Sequence, residues 1–415
     1  MTGESVPASL ARGRDAAAPR RPLAGVPAAR RWLVLLLTIG LAASISLSEV
    51  VFAVLALLAV LAPVSGARRV IWPLVLPIGA FAVWSIIAAL ASARPGESLY
   101  SAKTLIWLGV IYVMIHALPD RAAARRFVDA LFMATSVVAL FAIVQVALCP
   151  FVHETTGVVG WFFHKCGRAR GFFSIYMTLA GVLTLVTLSV LPRIRVGNGA
   201  SIARLAFWIA AVIALGLTFV RGAWVGFAVA IVGSHVAMRR RATLWLGVIG
   251  LVLVIAAAAP WVLEYFRTTG KQIVDDRTRD RIAMAEAGWL MLREHPITGV
   301  GVGQVKRLYP TYATPDALRH STSHLHNTPL QILVERGVVG LTLWLSIYVA
   351  FFARARRILR RLPASEDRDL VLGSVTAVAA FLIAGLFEYN FGDTEVLFVA
   401  NALMAVPFII ERDLT

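Results

Sequence analysis

The residues of this chain best suited to chemistry lie in a few short stretches. SHLHNTPLQ (Ser323 to Gln331) sets two imidazoles, His324 and His326, beside the amide of Asn327. An imidazole with a pKa near 6.5 can take a proton from a hydroxyl at neutral pH, so a general base is one reading of His326, with His324 in support. A capping and surface role for both histidines is the alternative. A zinc site needs three or four ligands, and His295, His320, Glu335 and Glu388 stand at no recognisable metal spacing, so no metal is expected. TFVRGAW places Arg221 between two apolar runs, where a charge is costly unless it works; a guanidinium there suits phosphate oxygens, with a structural ion pair as the other reading. DDRTRDR carries Arg277, Arg279 and Arg281 among Asp275, Asp276 and Asp280, and which arginine faces a substrate is left open. LFEYNFGD adds the carboxylate of Glu388, the phenol of Tyr389 and the amide of Asn390. GVGVGQV lacks the Lys and Ser/Thr of a phosphate loop and reads as a tight turn. No Ser-His-Asp set and no glycosidase-like pair of acids is apparent.

These residues have to be held by membrane helices. At 415 residues, 59% hydrophobic and 15% charged, the chain is no soluble domain. Its apolar runs are continuous rather than alternating, which predicts helices and excludes a barrel. Twelve spans are expected: Trp32–Leu47, Val50–Pro63, Ile71–Ala91, Thr104–Leu118, Phe127–Leu148, Phe172–Leu191, Leu205–Val220, Ala223–Ala237, Leu244–Ala259, Pro329–Phe352, Leu370–Phe387 and Val396–Ile410. The fold class is thus an all-α polytopic membrane protein. Residues 1–31 read as a disordered basic cytoplasmic tail, 32–259 as spans one to nine, 260–328 as a large polar loop, and 329–415 as the last three spans with a cytoplasmic end. In the loop, AMAEAGWLMLREHP reads as an amphipathic helix whose Ala283, Ala287 and Leu290 are expected along the membrane surface.

The net charge of +17 would point to nucleic acid in a soluble protein; here it is better read as topology. Arg68 and Arg69, Arg121, Arg125 and Arg126, Arg193 to Arg204, Arg239 to Arg241 and RARRILRR (Arg354 to Arg361) fall in short loops of one side. That side is expected to be cytoplasmic, so both termini lie there and the large loop faces outward. Arg221 lies on the outward side, where the topology rule does not account for it. Cys149 and Cys166 share an outward loop, where an oxidising compartment permits a disulfide; two separate thiols are the alternative. Internal repeats and the paired broken spans of many transporters are not evident.

From Arg168 to Asp393 the chain resembles the O-antigen ligase family of lipopolysaccharide biosynthesis, part of a superfamily with O-antigen polymerases and protein O-oligosaccharyltransferases. REHPITGVGVG and HNTPLQILVERGVVG carry the resemblance best, with one large loop late in a twelve-span layout. By this likeness His326 matches the family's essential histidine and Arg221 its characteristic arginine after a span. Arg281 matches its loop arginine, and RGFF, with Arg170, the segment opening the sixth span. Val220 stands where a Ser often precedes the arginine, and Ala285 where an aromatic is expected, with Trp289 one turn later. The resemblance implies a metal-independent, cofactor-free, inverting transfer of O-antigen polysaccharide from undecaprenyl diphosphate to lipid A-core. It places the site at the periplasmic face of the bacterial inner membrane, among membrane lipids. A polymerase or a protein oligosaccharyltransferase would share the site, and a lipid or solute transporter is the rival of another class.

Overall fold

A computed structural model describes residues 26–61, 71–152, 157–163, 166–194, 199–238, 279–315 and 317–414. Among them only helices and turns occur. They are α1 (Val26–Ala43), α2 (Ile45–Leu61), α3 (Val75–Leu90), α4 (Pro95–Ser101), a 3-10 turn (Ala102–Gly109) running into α5 (Val110–Ala117), α6 (Arg121–Val152), α7 (Gly157–Phe163), α8 (Tyr176–Val190), α9 (Gly199–Leu217) and α10 (Arg221–Met238). Then come α11 (residues 279–294), α12 (Val305–Tyr312), α13 (Thr328–Arg361), α14 (Glu366–Ala384) and α15 (Thr394–Arg412). Among the described residues five segments are long and apolar enough to cross a membrane: Pro95–Ala117, Arg121–Val152, Tyr176–Arg193, Thr328–Arg361 and Thr394–Arg412. The chain is therefore a helical membrane protein. The expected ninth span, the basic tail to residue 25, Arg68 and Arg69, Arg239 to Arg241, and Asp275, Asp276 and Arg277 lie outside the described residues.

The helices differ in what surrounds them. The apolar windows of α8 and α15 are 83% buried, against 33% for α13. A helix apolar all round belongs inside a bundle, and one with an exposed apolar flank faces lipid. So α8 and α15 form the core, joined by α14, which packs on α8, α10 and α15. Gly226 of α10 lies against the Ala380 carbonyl, where a Cβ would stand 2.8 Å from that oxygen. Small residues allow such close approach where no water drives helices together.

Several expected spans change their bounds. The fifth lengthens to Arg121–Val152, and the fourth is a 3-10 turn followed by a short α-helix. The sixth starts only at Tyr176, because the residues before it wrap around Gln145, which accepts from the Arg170 and Gly171 amides. The tenth is not one continuous span. Gly337 has φ 67 and ψ −175, which breaks α13 after nine residues. The loop ahead of it supplies the partners for the broken ladder: Val300 N–H donates to Val334 O (2.9 Å), Gly301 N–H to Glu335 O (3.1 Å), and Val338 N–H to Pro296 O (3.0 Å). A helix end buried at this depth has to find such donors. Gly299, Gly301 and Gly303, all at positive φ, let GVGVG make this turn.

Helix α11 also corrects an expectation. Ala283 (2% exposed) is buried, and Ala287 (0%) packs inward with Met284 and Met291 against Val300, Val305 and Leu325. Leu290 remains exposed, and the outward apolar side chains are Ile282 and Trp289. The face expected on the membrane surface therefore closes a small core within the loop itself.

Cys149 and Cys166 form a disulfide that ties the end of α6 to the approach to α8. At the opposite end of the bundle, arginines of the short loops meet acids. Arg121 and Arg125 contact Asp367 (3.0 and 2.9 Å), Arg125 contacts Glu366 (2.7 Å), and Arg354 contacts Glu411 (2.8 Å). Buried Arg193 donates to both Asp129 (3.0 Å) and Glu366 (2.9 Å).

Candidate active site

The site gathers at the bundle end that carries the α9–α10, α11–α13 and α14–α15 turns. Asn327 starts α13: its Oδ1 accepts from Leu330 N–H (2.9 Å) as an N-cap, and Pro329 fits the first turn, where no N–H is needed. The Asn327 amide donates to Leu386 O (2.9 Å), Thr328 N–H to Gly385 O (2.7 Å), and Thr328 Oγ1 to Glu388 O (2.9 Å). Thr328 also contacts the Asn390 side chain (2.9 Å), whose amide donates to Phe381 O (2.7 Å). The start of α13 and the α14–α15 turn are thus stitched together.

This stitching sets Glu388 beside His326. Glu388 Oε2 lies 2.8 Å from His326 Nδ1, and its Oε1 accepts from Arg281 Nη2 at 2.9 Å. A carboxylate accepts, so Nδ1 carries the hydrogen and Nε2 keeps its lone pair, the tautomer a general base requires. The His326 side chain is 22% exposed and that of Arg281 45%, so both remain open to a ligand. Arg281 spends one N–H on Glu388; a guanidinium has five to offer.

His324 stacks edge-on to His326 at 4.3 Å between ring centroids and lies 5.6 Å from Tyr389. Burial, then the charge of His326, pushes its pKa down to about 4 against the pull of Glu388, so it is a neutral imidazole at pH 7. Burial likewise raises the Tyr389 phenol, which stays protonated.

Backbone strain also points here. Only three non-glycine residues among those described have positive φ: Leu74, Phe219 at 56° and His326 at 48°. Such conformations cost on the order of 1–3 kcal/mol and collect at functional sites. Phe219 makes the sharp turn that ends α9 and starts α10 at Arg221, which is exposed and has no hydrogen bond or ion pair among the described residues. An arginine at a helix N-terminus opposes the helix dipole, so its charge and the free N–H groups both favour an incoming anion. Gly222 brings this turn against the chain of the α14–α15 turn, with a Cβ there 2.6 Å from Phe387 Cβ.

The expected residues therefore divide. His326, His324, Asn327, Arg281, Glu388, Tyr389 and Asn390 come together, and Arg221 starts the helix packed beside Phe387. Arg170 does not join them: it is 8% exposed in the corner of α6 and α7, with Nη2 3.4 Å from Phe162 O. Arg279 is exposed on α11, and its neighbour Asp280 holds the following loop through Leu318 N–H (3.1 Å) and Arg319 (3.4 Å). Sequence reasoning missed Thr328 and two of the buried set, Gln331 and Arg336, and weighed the third, Glu335, only as a metal ligand. The signal was present: a Gln, a Glu and an Arg inside an apolar run are costly unless they have a task.

Among curated proteins no sequence matches the chain. Residues 205–345, from α9 through the break in α13, match the family model described as O-antigen ligase. That stretch, about a third of the chain, includes Arg221, Arg281, His324 and His326, and over it the chain is similar to the O-antigen ligase family.

Proposed function

We propose that this chain is an O-antigen ligase, a metal-independent inverting glycosyltransferase that moves O-antigen polysaccharide from undecaprenyl diphosphate to lipid A-core. The observation that carries the reading is the His326–Glu388 pair at 2.8 Å, with Arg281 on the second carboxylate oxygen. Glu388 holds His326 as the Nδ1–H tautomer. Nε2 then takes the proton of an acceptor hydroxyl while its oxygen attacks the anomeric carbon from the face opposite the donor lipid. The bond from that carbon to the phosphate oxygen breaks, and undecaprenyl diphosphate leaves with the electron pair. Arg221, at the start of α10, and Arg281 stabilise the charge that develops on departure.

The large loop, with this site, faces the periplasm across the bacterial inner membrane. The arginine-rich turns among the described residues gather at the other end of the bundle, which supports that placement. The polymerase and the protein oligosaccharyltransferase differ from the ligase in acceptor alone, so the acceptor is what the experiment varies.

Purified protein is incubated with lipid-diphosphate-linked polysaccharide and lipid A-core, with chelator and without nucleotide, beside His326→Ala. The expected product is polysaccharide joined to lipid A-core, with turnover lowered about 10²- to 10⁴-fold in the variant and donor binding retained. Extension of the donor into longer polymer would assign the polymerase. No covalent product with both substrates bound would leave a transporter.

A further inference from the structure

We propose that Gln331 is a positioning residue for His326, the contact through which the buried break in α13 holds the base in its left-handed conformation. A histidine at φ 48 keeps that conformation only where its surroundings impose it. On its C-terminal side the Asn327 cap and Thr328 do so. On its N-terminal side, Leu325 N–H donates to Gln331 Oε1 at 2.8 Å. The Leu325 side chain, 3% exposed, is locked in the loop core against α11.

Gln331 is 1% exposed, and its amide has only one usable orientation. Its Nε2 donates to Glu335 Oε1 (2.8 Å), and a carboxylate only accepts, so Oε1 must face Leu325. Glu335 is held in turn by Gly303 N–H (2.9 Å) and by Arg336 Nη1 (2.8 Å). Arg336 donates to Ser85 Oγ (3.1 Å), and its carbonyl accepts from Trp84 Nε1 (2.8 Å), both on α3. The chain of contacts thus runs from α3, through a buried ion pair, to the residue preceding the base. Gln331 touches no substrate in this arrangement; it acts on where His326 stands.

The proposal rests on His326 being the base. The test uses the full-length protein with undecaprenyl-diphosphate-linked polysaccharide and lipid A-core, comparing Gln331→Met, of similar volume, with the native chain and His326→Ala. Gln331→Met is expected to lower kcat on the order of 10²-fold, as misplacement of a reacting group by about 1 Å does, with KM for both substrates within about twofold. Deuterium uptake of residues 322–328 should rise while that of α14 and α15 stays unchanged. Gln331→Asn, drawn back by one methylene, should give the same pattern in smaller measure, and it serves where the Met variant does not fold. Native kcat in the variants, or loss of kcat without faster exchange at 322–328, overturns the proposal. Native turnover in His326→Ala instead overturns the general-base reading, and with it any catalytic part for Gln331.

Discussion

The two ends of the bundle both gather arginines and use them in opposite ways. At the end carrying Arg121, Arg125, Arg193 and Arg354, guanidinium groups meet carboxylates of Asp129, Glu366, Asp367 and Glu411, joining α6 and the turn after α8 to α14, and α13 to α15. At the other end Arg221 has no partner among the described residues, and Arg281 shares its acid with a histidine. Charge that is fully paired holds helices together; charge left open can meet a ligand. The comparison teaches that counting arginines says little about function until their partners are known.

Three tests break or sharpen this contrast, beginning with the largest effect. Glu388→Gln replaces an acceptor with an amide that can present its N–H to Nδ1 and so favour the Nε2–H tautomer. Turnover should fall about 10²- to 10⁴-fold, with the protein folded and donor bound. A kcat within twofold of native would falsify the role given to Glu388.

Arg221→Met and Arg193→Met form the second test, one at each end. The first should cost about 10²- to 10³-fold in turnover and leave thermal stability in place. The second should leave turnover per folded molecule alone and destabilise by about 1–3 kcal/mol, because the charged hydrogen bonds that link α6 to α14 are lost. A reversed pattern, read by melting and initial rates, would dissolve the distinction between the two ends.

The smallest effect concerns acid. His324 has a folded pKa of about 4 against 6.5 unfolded, so the folded state binds its proton later. Its contribution to stability is present above pH 6.5 and is lost as pH falls toward 4, on the order of 3 kcal/mol at most. His324→Phe should flatten the loss of stability in that window, measured as melting temperature against pH. An unchanged slope would mean that His324 is more solvated than its burial implies.

Much of the site was legible from residue types. His326, Arg221, Arg281 and Glu388 stand out because charged and imidazole groups beside apolar runs are costly. The turn in GVGVG followed from its glycines. What escaped was pairing across distance. Nothing local to HNTPLQ says that its histidine meets a carboxylate 62 residues on. The apolar face of α11 was legible as a face, but not what it covers, since the loop's own Val300, Val305 and Leu325 and the bilayer satisfy the same periodicity. Arg170 is the reverse case: its segment resembles part of the family pattern, and the fold sets it in a corner with Gln145 and Phe162.

The sequence by itself determined that this is a helical membrane protein, with a polar loop and reactive groups near its span ends, because a hydrocarbon core admits only continuous apolar helices. The tertiary structure alone decided that α13 is broken at Gly337, that α8 and α15 form the core, and which acid holds His326. Those outcomes depend on backbone groups and side chains far apart in the chain satisfying one another where no water can do so.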